Sequence, residues 1–264
     1  MAITAFKRYE QKFMLKQSQF DVLLPKLLKY MEPDKNCKNG KEYCIYNIYY
    51  DTCNNDIIEH SLSKPYYKEK LRLRSYSTPT SFDDEVFLEL KKKIGGIVNK
   101  RRAILSLRDA YNLIEYGKHP TFSNCMNEQV VKEIEYFLSC NDVKPTTFIS
   151  YNRMAFFGKD DKDFRVTFDC NITTRRDDLY LEKGSYGSQL LDECNHLMEV
   201  KISSAVPMWL ANILSELEIY KTSFSKYGTE YKQYCLNNKS DKIFSTSGSE
   251  YSIVFPIQNF CINY

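Results

Sequence analysis

The sequence predicts an α+β chain: a mainly antiparallel sheet with helices packed outside it. Three observations carry that reading. Several runs alternate with period two and are rich in Tyr, Ile and Val, two of these runs are joined by Gly95-Gly96, and capped helical stretches lie between groups of strands. Gly-Gly suits a two-residue hairpin, because glycine takes positive φ at both central positions without steric cost.

In order, residues 5–15, 42–51, 68–76, 85–94 and 97–105 carry the strand pattern, and it resumes at 146–157, 163–172 and 194–202. A first helix is predicted from a Ser18-x-x-Asp21 cap, with Phe20, Leu23, Leu24, Leu27, Leu28 and Met31 at helical spacing and Pro25 kinking or restarting it. Ser106-x-x-Asp109 opens a second helix that Gly117 ends, and residues 127–139 give a third. A fourth starts near Pro207 and a fifth covers 225–236. Residues 1–236 therefore read as one domain and 237–264 as a linker and tail, to which no role is assigned.

Composition narrows the chemistry. With 37 Lys and Arg against 34 acids, the net charge of +3 advertises neither a nucleic-acid nor a membrane coat, and the 21 tyrosines suit strands before they suit stacking on bases. No stretch approaches the roughly 18 apolar residues of a spanning helix, and no apolar leader follows a basic start, so a cytoplasmic protein is expected. The nine cysteines lack a C-x-x-C pair or a histidine at zinc spacing, and are expected to be reduced and mostly buried. None of the three histidines neighbours a candidate nucleophile, which argues against Ser/His or Cys/His catalysis. Chemistry should run on Lys, Arg and carboxylates.

Sorting each strand by parity places its charges on one face. That face collects Arg8, Lys12, Lys70, Arg72, Arg74, Lys91, Lys100, Arg102, Arg153, Arg165 and Lys201, with the acids Glu10, Glu89, Asp169 and Glu199. Eleven cations against four acids leave a surplus of seven, more than the +3 of the whole chain. A single strand with such a face is an ordinary solvated one; seven of them are less ordinary, since like charges opposite one another destabilise a sheet. Guanidinium forks and ammonium groups suit phosphate oxygens, and a few carboxylates suit Mg²⁺ or Mn²⁺ bridging to phosphates. The pattern points to phosphoryl chemistry.

The motifs "RYEQK" (Arg8, Glu10, Lys12), "LRLR" (Arg72, Arg74), "LELKKK" with "VNKRR", "YNRMAF" followed by "FRVTFD", "LMEVKI" and "SFSKYG" occur over residues 6–231 in an order that resembles polyphosphate polymerases of the vacuolar transporter chaperone (VTC) type, members of the triphosphate tunnel (CYTH) superfamily. The resemblance implies an eight-stranded antiparallel tunnel barrel with helices outside. It implies an ATP–polyphosphate phosphotransferase that moves the terminal phosphate of ATP to a growing chain. Lys12, Arg72, Arg74, Lys91, Lys100, Arg153, Arg165 and Lys226 would line the tunnel as catalytic cations. Glu199, assisted by Glu10, would hold Mn²⁺ or Mg²⁺, while Arg8, Arg102, Lys201 and Ser223 would contact substrate; Arg102 and Lys201 follow from parity alone.

Two departures matter. Hydrolytic tunnel enzymes begin E-x-E-x-K, and here Arg8 replaces the first glutamate, which disfavours a second metal and a metal-activated water. Ser223 stands where some eukaryotic members carry lysine. The expected ligands are ATP and polyphosphate, with no nucleic acid, in a stand-alone catalytic domain without its own membrane segment that has room for a membrane-protein partner. A triphosphatase or cyclase on the same fold, a non-catalytic polyphosphate or nucleotide sensor, and a nucleic-acid binder are the alternatives.

Overall fold

The computed structural model describes residues 9–37, 40–121, 125–203 and 205–245. Eleven strands form one sheet in which every pairing is antiparallel. Eight are long: β1 (Tyr9–Lys16), β3 (Tyr43–Asp51), β4 (Tyr67–Ser75), β5 (Glu85–Ile94), β6 (Ile97–Ser106), β7 (Lys144–Gly158), β8 (Arg165–Arg175) and β10 (Asn195–Ile202). Three are short: β2 (Met31–Pro33), β9 (Ser188–Gln189) and β11 (Lys221–Thr222). The pairing order is β11-β1-β10-β8-β7-β3-β4-β5-β6, with β2 added to β7 and β9 to β8.

Among the described residues the expected closed eight-stranded barrel is not formed, because the pairing path has two ends. At one end, Asn127 of α4 (Cys125–Cys140) occupies the β6 edge: its Oδ1 accepts from the Ile104 amide at 3.2 Å and its Nδ2 donates to the Ile104 carbonyl at 3.3 Å. A side chain there satisfies groups that another strand would need. At the other end β11 offers two residues, paired with Lys12 and Phe13. The sheet curls nonetheless. Lys12 on β1 and Lys70 on β4 are five strands apart, about 24 Å on a flat sheet, yet Lys12 helps depress the Lys70 pKa, and a charge–charge effect of that kind needs closer approach through water.

Alternation decides which face is which. On the outer face Leu71, Leu73, Leu88, Leu90 and Ala103 bury against Leu107, Ala110 and Leu113 of α3 (Leu107–Tyr116) and Val131, Ile134 and Phe137 of α4. Phe13, Leu15, Val166, Phe168, Met198 and Val200 do the same against α1 (Gln17–Leu27) and α5 (Met208–Glu216). The alternate residues carry the charge. Ile94 pairs with Ile97 across Gly95 and Gly96, whose φ values are 53° and 89°, so the expected hairpin is present.

Local signals were followed unevenly. Ser106 Oγ accepts from the Asp109 amide at 3.0 Å and Gly117 ends α3 at φ 64°, both as expected. The Ser18 cap is corrected: β1 runs on to Lys16, whose amide donates to Gln19 Oε1 at 3.0 Å, and Ser18 lies inside α1. That helix passes through Pro25, stops at Leu27, and leaves Met31 to β2. The helix α6 (Lys226–Ser245) continues nine residues past Leu236; the tail beyond 245 lies outside the described residues. Of the seven cysteines whose state is described, all are free, but only Cys37 and Cys170 are buried and three are exposed, so "mostly buried" is corrected.

The helix α2 (Asp56–Leu62), absent from the sequence reading, packs with α6 over the charged face of β3 and β7 through Ile58, Tyr49, Ile149, Tyr151, Tyr227 and Tyr231. Asp51 holds this arrangement. Its carboxylate is fully buried and accepts from the amides of Thr52, Ile57 and Ile58, each at 2.9 Å, and from the Tyr227 hydroxyl at 2.7 Å. Removing it orphans three amides and a phenol, so Asp51→Ala should cost about 3 kcal/mol or more in urea unfolding, and Asp51→Asn less, since an acceptor oxygen is kept.

A cation-lined face as the candidate site

Two clusters of charge lie on the inner face. In the first, Glu89 is 1% exposed and shared by three cations from neighbouring strands. Arg72 reaches Oε2 through Nε at 2.8 Å, Lys100 reaches Oε1 at 2.6 Å, and Arg102 donates to Oε1 through Nε at 2.6 Å and through Nη2. Strand register makes this possible: Arg72 pairs with Glu89 and Glu89 with Arg102. Burial would raise the Glu89 carboxyl, but Arg72, Arg74, Lys100 and Arg102 together hold it well below the usual carboxylate range.

The next register row is lysine throughout, Lys70 to Lys91 to Lys100. Among the described residues no carboxylate forms an ion pair with Lys70 or Lys91; the Lys70 ammonium lies 5.5 Å from the Tyr227 ring centre. Burial, then Lys68 and Lys91, bring the Lys70 pKa down to about 7. Lys100 also falls to about 7, through burial and the neighbouring arginines against the opposing pull of Glu89. A lysine row with two unmatched members, Lys70 and Lys91, is unfavourable on a sheet until an anion joins it.

The second cluster centres on Asp169, fully buried. Arg153 grips it in a fork, Nε to Oδ1 at 2.6 Å and Nη2 to Oδ2 at 2.7 Å, and Lys226 reaches Oδ2 at 2.5 Å. The "SFSKYG" motif explains how Lys226 arrives. Ser225 Oγ accepts from the Gly228 amide at 3.2 Å at the start of α6, Lys226 points at Asp169, and Gly228 lets α6 sit against Leu62 of α2, where a Cβ would meet Leu62 at 3.0 Å. Beside it, Glu199 has Lys12 at 3.3 Å, Lys226 at 3.6 Å and Arg153 at 3.7 Å. Burial opposes ionisation of Glu199, and Lys226, Lys12 and Arg153 overcome it.

Between the clusters Arg74 is buried, donating to Asn47 Oδ1 at 2.8 Å and the Tyr151 hydroxyl at 3.1 Å. The Tyr151 ring faces both Arg153 and Lys226, at 5.2 and 4.4 Å. At one margin Arg165 pairs with Asp34 at 3.1 Å, and Lys201 stands 3.9 Å from Glu10. Arg165 Nε and Thr167 Oγ1 are buried there without partners.

The structure thus brings Arg72, Lys100 and Arg102 together, gathers Lys12, Arg153, Lys226 and Glu199, and joins the groups through Arg74. Lys91 is exposed in the lysine row, and Arg165, Lys201 and Glu10 lie at the margin. Ser223 is exposed on the segment before α6. Arg8 lies outside the described residues. Sequence reasoning sorted Lys70, Glu89, Asp169 and Tyr151 onto this face without giving them roles, and missed Tyr49 and Asp34. Parity was the signal available for Tyr49: it shares a face with Asn47, and its hydroxyl accepts from Arg72 at 3.2 Å.

No group of three His, Cys, Asp or Glu able to hold a metal ion exists among the described residues. Asp169 is committed to Arg153 and Lys226. Glu199 receives no hydrogen bond from the described residues, its three cations standing at 3.3–3.7 Å, and Glu10 shares Lys12 with it at 3.5 Å. One or two carboxylates completed by substrate phosphates are a donor set that Mg²⁺ accepts.

The sequence model of the VTC domain matches residues 7–235, most of the chain. The chain belongs to the VTC domain family. One solved structure supports the fold. A candidate adenylate cyclase from Bacillus halodurans aligns with a TM-score of 0.51 at 15% identity, covering 83% of this chain and 95% of that one. A candidate adenylate cyclase from Vibrio parahaemolyticus aligns with a TM-score of 0.44 at 13% identity, covering 86% and 99%. No curated protein matches the sequence. No helix among the described residues is long and apolar enough to cross a membrane.

The depressed lysines set a pH dependence. With pKa near 7, Lys70 and Lys100 are largely neutral at pH 8, and a phosphate beside them raises both and draws protons in. Tripolyphosphate binding at pH 8 should therefore take up about one to two protons, seen in calorimetry as an enthalpy that varies with buffer ionisation heat. Affinity should fall as pH rises from about 7 to 9, and Lys70→Met should remove about one of the protons. No buffer dependence at pH 8 would contradict the assignment.

Proposed function

We propose that this VTC domain is a polyphosphate polymerase that transfers the terminal phosphate of ATP to a growing inorganic polyphosphate chain. The observation that supports it is the ratio on the inner face: Glu89 and Glu199 are each shared by three cations, and the adjoining lysine row has two members with no carboxylate partner. A face so arranged suits a ligand with many anionic oxygens in a row.

An oxygen of the chain's terminal phosphate attacks the γ-phosphorus of ATP, the bond from that phosphorus to the β-bridging oxygen breaks, and its electron pair leaves on ADP. The attacking oxygen is already anionic, so no general base is required. The protein's task is to align two polyanions and balance charge on the transferred group. Arg72, Arg102 and Lys100, held by Glu89, and Lys12, Arg153 and Lys226, held by Asp169 and Glu199, are fixed donors for that purpose, while Lys70 and Lys91 add charge along the chain. Glu199 with Glu10 would hold Mn²⁺ or Mg²⁺, which would supply positive charge to offset that of the phosphates. Hydrolysis or cyclisation on the same fold would place water or the ribose hydroxyl where the chain end attacks, and both need a proton acceptor. His196, the only histidine on these strands, is on β10 stacked against Phe20 at 4.2 Å, in the outer layer with α1.

Purified protein with ATP and Mn²⁺ or Mg²⁺ should yield ADP and material that stains as polyphosphate on gels. Free phosphate without chains would identify a triphosphatase, a cyclic nucleotide would identify a cyclase, and binding without turnover a sensor. Arg72→Ala should lower both ATP affinity and turnover by about tenfold or more, since a charged hydrogen bond contributes about 1.5–3 kcal/mol. Glu199→Gln should reduce turnover far more than binding. Unchanged activity in Arg72→Ala would remove the inner face from the reaction.

A further inference from the structure

Away from the charged face, a cavity of about 280 Å³ opens on the outer side of β3. Tyr50 lines it with Tyr111 of α3 and Tyr180 of the segment after β8, and Glu115 and Asp178 add carboxylates. The segment that walls it is fixed without help from a ligand. Arg175 donates to the carbonyls of Asp178, Tyr180, Gly184 and Tyr186 at 2.9–3.3 Å. The Tyr111 hydroxyl donates to Glu182 at 2.9 Å and accepts from the Leu181 amide at 3.2 Å.

Tyr50 is 2% exposed, yet none of the described residues hydrogen-bonds its hydroxyl. The Tyr50 side chain lines the cavity, so a donor bound there can pair with its hydroxyl. The charge at the cavity without an ion-pair partner among the described residues is acidic. Burial pushes the Tyr50 hydroxyl up, and the carboxylates of Glu115 and Glu182 push it further. The cation lining the cavity, Arg176, is committed elsewhere: Nε and Nη2 fork onto Glu230 at 2.7 and 2.9 Å, and Nη1 donates to Asn55 at 3.2 Å. Glu115 has no ion-pair partner among the described residues.

We infer that this cavity is a second binding site, for a small organic ammonium carrying an aromatic or apolar body. The ammonium would donate to the Tyr50 hydroxyl and neutralise Glu115. The edge-to-face pair Tyr111 and Tyr180, 6.2 Å apart at 87°, offers ring surface for the body and for cation–π attraction. The same carboxylates repel phosphates, so the two faces of the sheet select ligands of opposite charge. The inference does not depend on which reaction the inner face performs.

Phenethylammonium titrated into the full chain, followed by saturation-transfer NMR and calorimetry, should bind, whereas phenylacetate, of the same body and opposite charge, should not. Glu115→Gln, an exposed change with little risk to folding, and Tyr50→Phe should each weaken binding by about three- to tenfold, about 0.7–1.4 kcal/mol. ATP binding should be the same in both variants as in the parent. Absence of phenethylammonium binding, equal binding of phenylacetate, or parental affinity in Glu115→Gln would each overturn the assignment.

Discussion

The structure depends on keeping an excess of cations on one face of a curled sheet. Lys70 shows the scale. Bringing its pKa from 10.5 to about 7 corresponds to a penalty on the order of 4–5 kcal/mol for charging it in the empty site. That must be offset elsewhere. Leu71, Leu73, Leu88 and Leu90, alternating with the charged positions and fully buried against α3 and α4, contribute about 2 kcal/mol each, roughly 8 in all. The hydrophobic layer outside is thus large enough to hold an electrostatically unfavourable layer inside, and the strain is placed where a bound anion would relieve it.

Carboxylates decide where within that face the strain is tolerated. Asp169 is saturated: Arg153 and Lys226 use both oxygens, and α6 is anchored to the sheet as a result. Glu89 serves three cations at hydrogen-bond distance, fixing the fork directions of Arg72 and Arg102 before any ligand arrives. Glu199 has cations around it but at longer range, so its oxygens are the ones still open. Three carboxylates on one face therefore have three tasks, separated by how completely their neighbours engage them.

Much of this was legible from alternation alone. Arg72, Arg102 and Glu89 fall on one face because strand side chains alternate, and Lys92 and Arg101 fall on the other, where both meet Glu133 of α4. The covering of the β6 edge was not legible, because Asn127 reaches the Ile104 backbone through a contact between residues 23 apart with no periodic signature. Nor was α2, a seven-residue helix whose start is fixed by the buried Asp51 and not by a cap of the usual kind. Parity named Asp169 as an inward acid, but its partnership with Lys226 spans 57 residues and requires α6 to be in place. Sequence spacing reports the face of a residue; it does not report which charges the curl of the sheet brings into contact.

Arg74 and Tyr151 show what that curl adds. Arg74 belongs to β4 beside the Glu89 cluster, Tyr151 to β7 beside the Asp169 cluster, and the hydrogen bond between them links the two through a guanidinium and a phenol, without using a carboxylate. A further acid at that point would have neutralised the middle of the face and divided it into two closed ion-pair islands. A phenol satisfies the arginine's geometry and leaves its charge uncompensated. Basic side chains consequently follow one another from the lysine row of β4, β5 and β6 through Arg74 to Arg153, Lys226 and Lys12, with no carboxylate engaging Arg74 among the described residues.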